Sequence, residues 1–249
     1  MAFTATGPGS RSLAGLAWLA RVGCSPIEPL AAVMGWSERV AHDHVRRLTD
    51  AGLVRRVART RGAGSLILVT SNGAVKAGYL ATRAPRAIGP TTWAYAEACA
   101  WVSAWLTKRR STWWSERDIA EDKFWHWRAT YKDRRGTNRV KHRPALGLKL
   151  VEGYGAIEVE THQRVPARLL GTMNMYDALT DNSESPITGV LFVTKDNVIA
   201  DQIQRAARKA MLSPPHMKIR SLSEIIQQTS TADWGNAVTV QQPDTDPAN

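Results

Sequence analysis

The segment Pro26-Ile27-Glu28-Pro29-Leu30-Ala31-Ala32-Val33-Met34-Gly35-Trp36-Ser37-Glu38-Arg39-Val40-Ala41-His42-Asp43-His44-Val45-Arg46-Arg47-Leu48-Thr49-Asp50-Ala51-Gly52-Leu53-Val54 decides the N-terminal fold. Its first half reads as a short helix ending at Met34, and Gly35-Trp36 reads as a turn. Ser37 is a good helix N-cap, because its hydroxyl can accept a bond from a free backbone N–H of the first turn. The next helix, Glu38 to Asp50, carries Val40, Ala41, His44, Val45 and Leu48 at helical spacing. Arg39, His42, Asp43, Arg46 and Arg47 fall on the other face. A helix with an apolar inner face and an arginine-bearing outer face suits the major groove of double-stranded DNA.

A basic hairpin follows. Val54-Arg55-Arg56-Val57-Ala58-Arg59 alternates as a half-buried strand does, Thr60-Arg61-Gly62-Ala63-Gly64 is a Gly-rich turn, and Ser65 to Thr70 is the return strand. Helix, helix and basic hairpin in this order predict a winged helix-turn-helix. Its candidate DNA contacts are Ser37, Arg39, His42, Arg46 and Arg47 on the second helix, with Arg55, Arg56, Arg59 and Arg61 on the wing. The competing readings are a solvated amphipathic pair and a protein-docking module.

Charge supports a polyanion partner. The net charge is +11, and it is uneven. Residues 1–85 hold 11 Lys and Arg against 4 acids, residues 86–144 hold 13 against 6, and residues 145–249 hold 9 against 12. A basic front and a mildly acidic rear point first to nucleic acid and second to an anionic membrane surface. No apolar run is long enough to span a bilayer, and Met1 to Ser10 lacks the apolar core of a signal peptide, so a cytoplasmic location is expected. Cys24 and Cys99 are far apart and have no metal-ligand neighbours, which argues against a zinc site or a disulfide framework.

The expected organisation is α+β. An N-terminal unit covers residues 1–85, with helices at Arg11–Val22 and Asn72–Leu80 flanking the motif. A tryptophan-bearing connecting helix covers 86–110 and is expected to pack on the first unit or on a dimer partner, with Trp93, Trp101 and Trp105 placed for core packing. Residues 111–227 form a second unit. It opens on a capped helix at Ser115 and an exposed loop from Tyr131 to Lys141, where Arg134, Arg135 and Arg139 are further candidate DNA contacts. Tryptophans interleaved with cations there could also grip single strands. From Ala145 the pattern is α/β: strands Leu146–Val151 and Ala156–Thr161, helix Pro166–Ala178, strand Gly189–Thr194, helix Asp196–Met211 and an edge strand at Met217–Ile219. Residues 228–249 lose periodicity and read as a disordered tail.

The candidate chemistry lies in Ile157-Glu158-Val159-Glu160. Carboxylates at i and i+2 share one face of a strand and can ligate one divalent cation, Mg²⁺ or Mn²⁺, that activates water on a phosphodiester. An exposed strand face is the bland alternative. Among the histidines, His162 stands nearest the pair in sequence. Tyr176 and Tyr131 are conceivable nicking nucleophiles, although Tyr176 sits on a core-type helix face.

Ser115-Glu116-Arg117-Asp118-Ile119 after a tryptophan, the basic stretch, His142-Arg143-Pro144, the hairpin, Ile157-Glu158-Val159-Glu160 and the helix bearing Arg168-Leu169 and Tyr176 together resemble the actinobacterial replication-relaxation family. The resemblance runs from about Ser12 to about Met211. It implies a winged helix joined to a C-terminal α/β domain related to the restriction-endonuclease, PD-(D/E)XK fold, and a place on a conjugative plasmid or integrative element. The family pattern has Asp after His-Arg-Pro, and this chain has Ala145. Where a lysine is expected, Glu160 stands instead; Arg164 or Lys149 could supply a cation. The missing carboxylate implies weakened metal affinity and a nuclease fold that binds DNA without cutting, so no cofactor is expected to be required and enzymatic activity is not.

The expected function is therefore a sequence-specific, double-stranded DNA-binding protein acting in relaxosome assembly, replication initiation or transfer regulation, working as a homodimer on two half-sites. The alternatives are a metal-dependent nicking nuclease with Glu158 and Glu160 as catalytic and metal-binding residues, and a module that docks replication or conjugation proteins.

Overall fold

The computed structural model describes residues 8–58, 64–85 and 88–231. Arg59 and Arg61, expected on a wing, and the residues after Thr231 lie outside this set. The chain is α+β and divides into two units, one formed by the residues up to Arg110 together with those from Gln228 on, the other by Ser111–Gln227.

In the first unit the order is α1 (Ser10–Val22), β1 (Cys24–Ser25), α2 (Ile27–Met34), α3 (Glu38–Asp50), β2 (Val54–Ala58), β3 (Ser65–Val69), α4 (Ser71–Lys76) and α5 (Trp93–Lys108). Gly35 ends α2 with φ 61 and ψ 34, a left-handed conformation that glycine adopts without a Cβ penalty. Two residues later the Ser37 hydroxyl accepts the Val40 N–H and starts α3. The turn is therefore fixed by one glycine and one cap. Leu16, Leu19, Leu30, Val33, Ala41, Val45 and Leu48 meet in one core. His44 is buried beside it, stacked on Trp36 and bonded through Nδ1 to Ser12 Oγ at 2.7 Å. Val40, expected on the inner face, is 39 % exposed.

The sheet order is β1-β3-β2, all antiparallel. Leu66, Ile67, Leu68 and Val69 of the central strand are all buried. Ile67 and Val69 face the helical core, while Leu66 and Leu68 meet Trp93 and Ala96 of α5. An uninterrupted apolar strand is the signature of a strand covered on both faces. So α5, expected to pack on the first unit or on a dimer partner, packs on the first unit: it covers the outer face of the small sheet, and its Ala100 and Ala104 enter the main core. A side-chain hydrogen bond ties the same helix to α1: Trp18 Nε1 donates to Thr107 Oγ1 at 3.3 Å.

The second unit contains β4 (Trp113–Trp114), α6 (Glu116–Glu121), β5 (Trp127–Asp133), β6 (Gly136–His142), β7 (Leu146–Lys149), β8 (Tyr154–Glu160), α7 (Pro166–Asp181), β9 (Ile187–Thr194), α8 (Asn197–Ala210), β10 (Met217–Ser221) and the start of α9 (Leu222–Thr231). The main sheet runs β10-β9-β8-β7-β4, with β8, β9 and β10 parallel and β7 and β4 antiparallel. Helices α7 and α8 supply Leu169, Met173, Tyr176, Ile199 and Ile203 to a core shared with Ala156, Val190 and Phe192 of the sheet. Ser115 and Asp118 form a reciprocal capping box at the start of α6.

Two expectations are corrected. Tyr131 to Lys141 is not a loop: β5 and β6 pair antiparallel from Trp127↔His142 to Asp133↔Gly136, forming their own two-stranded sheet. Isolated ribbons are marginal in water, and this one is supported on one side by α7. Gly171 makes that close approach possible, because a Cβ there would lie 2.5 Å from the Thr130 carbonyl oxygen and 2.9 Å from Tyr131 Cβ. The second correction is that α9 continues through Gln228 to Thr231, into the stretch read as tail.

Gly171→Val is expected to lower the stability of the second unit by about 1–3 kcal/mol, the usual cost of overpacking. Urea unfolding followed by tryptophan fluorescence measures it. An unchanged midpoint would mean that the ribbon is not seated tightly on α7.

Candidate functional site

On α3 the side chains divide as the sequence implies, Val40 excepted. Ala41, His44, Val45 and Leu48 are buried, and Arg39, His42, Arg46 and Arg47 are exposed. Two acids temper this face. Glu38 lies 3.7 Å from His42, and Asp43 lies 3.2 Å from Arg46. Arg39 and Arg47 have no ion-pair partner among the described residues. On the adjoining strand β2, Arg55 and Arg56 are exposed, and Arg56 reaches His42 Nδ1 at 3.4 Å. Between them runs a shallow groove of about 280 Å³ lined by His42, Asp43, Arg46, Thr49, Asp50 and Arg56. Ser37 is exposed, but its hydroxyl is used as the cap.

In the second unit, Arg134 and Arg135 form the turn of the β5–β6 ribbon and Arg139 lies on β6, all three exposed. Asp133 accepts the Arg135 N–H at 2.8 Å and closes that turn.

The acidic pair is not an exposed strand face. Glu158 is 2 % exposed and Glu160 5 %. They share a face of β8, as their spacing requires, and each oxygen meets a protein group. Glu158 Oε1 accepts from His142 Nε2 at 2.6 Å and from the Tyr176 hydroxyl. Glu158 Oε2 accepts from Arg164 Nη2 at 3.2 Å. Glu160 Oε2 accepts from Arg164 Nε at 2.9 Å, and its Oε1 stands 2.6 Å from Arg164 Nη2 as an ion pair without hydrogen-bond alignment. One guanidinium thus bridges both carboxylates. The Arg164 backbone is held in turn by Gln202 of α8, whose amide donates to the Arg164 carbonyl at 2.7 Å and accepts its N–H at 3.2 Å.

A divalent cation does not fit this donor set. The oxygens that would ligate it are engaged by Arg164, His142 and Tyr176. Ala145 brings no carboxylate to the pair; its N–H donates to the Ile157 carbonyl of β8 at 2.9 Å. Among the described residues no three His, Cys, Asp or Glu side chains gather as a cluster able to hold a metal ion. Of the two cations considered for the pair, Arg164 is there, while Lys149 lies over the Tyr154 ring at 4.1 Å. His162 is exposed, and the histidine that meets Glu158 is His142. Tyr176 is fully buried with its hydroxyl committed to Glu158, which removes it as a nucleophile for an external phosphodiester.

Burial pushes the Glu158 carboxyl up, but attraction to His142 and its hydrogen bond, then Arg164 and Tyr176, outweigh that and hold it down at about 2. Burial raises Glu160 to about 7, Arg164 opposing and Glu158 reinforcing the rise. Burial also drives the Tyr176 hydroxyl well above its ordinary value, with Glu158 adding to it. Two adjacent carboxylates in one low-dielectric site separate in this way because ionising the first penalises the second.

The signs fix a pH profile. Glu160 is raised, so its favourable contribution to folding is complete below about 4.5 and is lost as pH climbs through 7. Glu158 is lowered, so its contribution is present above about 4.5 and is lost as pH falls towards 2. Glu160→Gln should therefore flatten the decline in urea midpoint between pH 4.5 and 7 while leaving the acid limb intact. An undiminished decline in that variant would mean that Glu160 does not titrate in this window.

Compared with known protein families, curated proteins and solved structures, the chain matches none of them. No helix among the described residues is long and apolar enough to cross a membrane.

Proposed function

We propose that the chain is a sequence-specific double-stranded DNA-binding protein whose first unit is a winged helix and whose second unit is a nuclease-related fold that does not cut. The observation that carries this reading is α3. It is anchored by a buried face, started by a side-chain cap, and presents Arg39, His42, Arg46 and Arg47 outward beside Arg56 of β2. A rigid helix with exposed arginines next to a basic strand is the arrangement by which such modules enter the major groove and hold the flanking backbone. The closure of the acidic pair by Arg164 supports binding over metal-dependent nicking. A role in replication initiation, relaxosome assembly or transfer regulation of a conjugative element follows from the resemblance to the replication-relaxation family.

The test is duplex binding by fluorescence anisotropy across a salt series, with a duplex selected from a random pool and a scrambled control. Affinity should fall steeply with salt and should favour the selected duplex. Supercoiled plasmid incubated with Mg²⁺ or Mn²⁺ should be retarded intact. Salt-insensitive behaviour with no duplex binding would overturn the reading. Plasmid relaxed or linearised by the unaltered protein, but left intact by Glu158→Ala, would replace it with nicking.

A further inference from the structure

We infer that the outer face of the β5–β6 ribbon is a second DNA-contacting element, built to lie in the major groove of a duplex. The inference shares its ligand with the reading above but none of the residues of α3 or β2.

Strand pairing sorts this segment by chemistry. The pairs Arg128↔Lys141, Thr130↔Arg139 and Lys132↔Thr137 are exposed at every position. The alternate positions hold Trp127, Ala129, Tyr131, Asn138, Val140 and His142, and all are buried or half-buried. The side chains that look interleaved in sequence are thus separated: aromatic and apolar groups turn inward, and cations and threonine hydroxyls turn outward. Residues 127–142 carry six Lys and Arg against the single acid Asp133, a net of +5 in a chain of +11. That acid is not on the outer face; it caps the turn. None of Arg128, Lys132, Arg139 and Lys141 makes an ion pair among the described residues.

By contrast, α3 carries Arg39, Arg46 and Arg47 against Glu38, Asp43 and Asp50, so its formal charge is zero with its histidines neutral. The helix itself therefore adds no net charge to binding, and the electrostatic share has to come from the arginines of β2 and from elsewhere in the chain. The ribbon can supply it.

Shape selects the ligand. The major groove of B-DNA, about 12 Å wide, admits a two-stranded ribbon, whereas the deep, narrow major groove of A-form RNA does not. Cations on alternate residues of a strand repeat about every 6.7 Å, so several phosphates can be met along one groove wall. Thr130 and Thr137 stand among them as short donors and acceptors for base edges or phosphates. Single strands are usually gripped by exposed aromatic platforms, and here Trp127 and Tyr131 face inward. A membrane surface would call for exposed large apolar residues, and this face has none. Seating on α7 through Gly171 holds the ribbon rigid, which limits the ordering entropy lost on binding.

The test uses the full chain with Arg128→Gln, Lys132→Gln, Arg139→Gln and Lys141→Gln combined. Anisotropy is read on a random duplex, a single strand and double-stranded RNA over a salt series. The urea midpoint should stay at the wild-type value, since all four side chains are exposed. The slope of log affinity against log salt on the duplex should shrink by about 3–4, at roughly 0.9 for each phosphate no longer neutralised, and affinity near physiological salt should fall roughly 10²- to 10³-fold. An unchanged slope in a folded variant, with duplex binding abolished when Arg46 and Arg47 are replaced instead, would overturn the ribbon inference and leave the α3 reading standing. A larger drop on single strands or RNA than on duplex would also overturn it. No duplex binding by the unaltered protein would sink both.

Discussion

Arg164→Met is expected to destabilise the second unit by about 3 kcal/mol at pH 8, the low end of the roughly 3–5 kcal/mol typical when one partner of a buried ion pair is removed. The low end applies because the Arg164 side chain is 25 % exposed and partly screened. Methionine keeps the stem's volume and removes the charge. Glu158 would retain His142 and Tyr176, but Glu160 would keep only the weaker pull of Arg168 beside a buried neighbour of like charge. Its carboxyl already sits at about 7 with Arg164 present, and without the guanidinium it rises further. The penalty should therefore shrink towards pH 5, where Glu160 is neutral. Adding Glu160→Gln to Arg164→Met should recover most of the stability at pH 8, and the double-mutant cycle isolates the coupling. Millimolar Mg²⁺ or Mn²⁺ should leave the wild-type melting temperature unchanged, because the carboxylates are engaged. A penalty below about 1 kcal/mol at both pH values, or thermal stabilisation of the wild type by Mg²⁺, would show that Arg164 is not the counter-ion of this pair.

The residues that are legible in the sequence and those that are not differ in how local their causes are. The turn between α2 and α3 depends on Gly35 and Ser37 and on a helical repeat, all within a dozen residues, and it is legible. So is the shared face of Glu158 and Glu160, which follows from the two-residue period of a strand. Their burial is not. It depends on β8 having neighbours on both sides and on α7 lying over it, and nothing within Ile157-Glu158-Val159-Glu160 encodes that. Arg164, four residues past Glu160, is within reach of the sequence, but His142 and Tyr176 come from separate elements, and Gln202, which holds the Arg164 backbone, comes from another. Nearness in sequence therefore points to His162 where the fold brings His142, and it gives no sign of Gln202.

The ribbon is hidden for another reason. Its outward residues are long cations, which mask a strand when polarity alone is read, and Asp133-Arg134-Arg135-Gly136 resembles loop chemistry. The signal lies in the alternation of Trp127, Ala129 and Tyr131, repeated by Val140 and His142 after a turn ending in glycine. The role of α5 is more legible: Ser65-Leu66-Ile67-Leu68-Val69 is apolar after its first residue, which demands a cover on both faces, and the tryptophan-bearing helix, expected on the first unit or on a dimer partner, is that cover.

Replacing Arg46 and Arg47 by alanine should remove sequence preference and much of the affinity for duplex DNA while leaving the fold intact. Both side chains are exposed on α3, and the helix is held by residues on its opposite face. A base-reading arginine is worth about 1–3 kcal/mol of discrimination, and one that only touches phosphate lowers the salt slope by about 1 without altering preference. The two arginines are not equivalent. Arg46 is tethered to Asp43 at 3.2 Å, and that pair must open or be shared when the helix meets a groove. Arg47 has no such competitor among the described residues. Arg47→Ala should therefore cost more than Arg46→Ala. Asp43→Asn should act in the opposite direction, raising affinity by freeing Arg46 and removing a negative charge from the groove wall. The readout is anisotropy on the selected and scrambled duplexes at two salt concentrations. If Asp43→Asn weakens binding, the tether positions Arg46 for the groove rather than competing with it. If neither arginine matters on either duplex, α3 is not the reading helix, whatever the ribbon contributes.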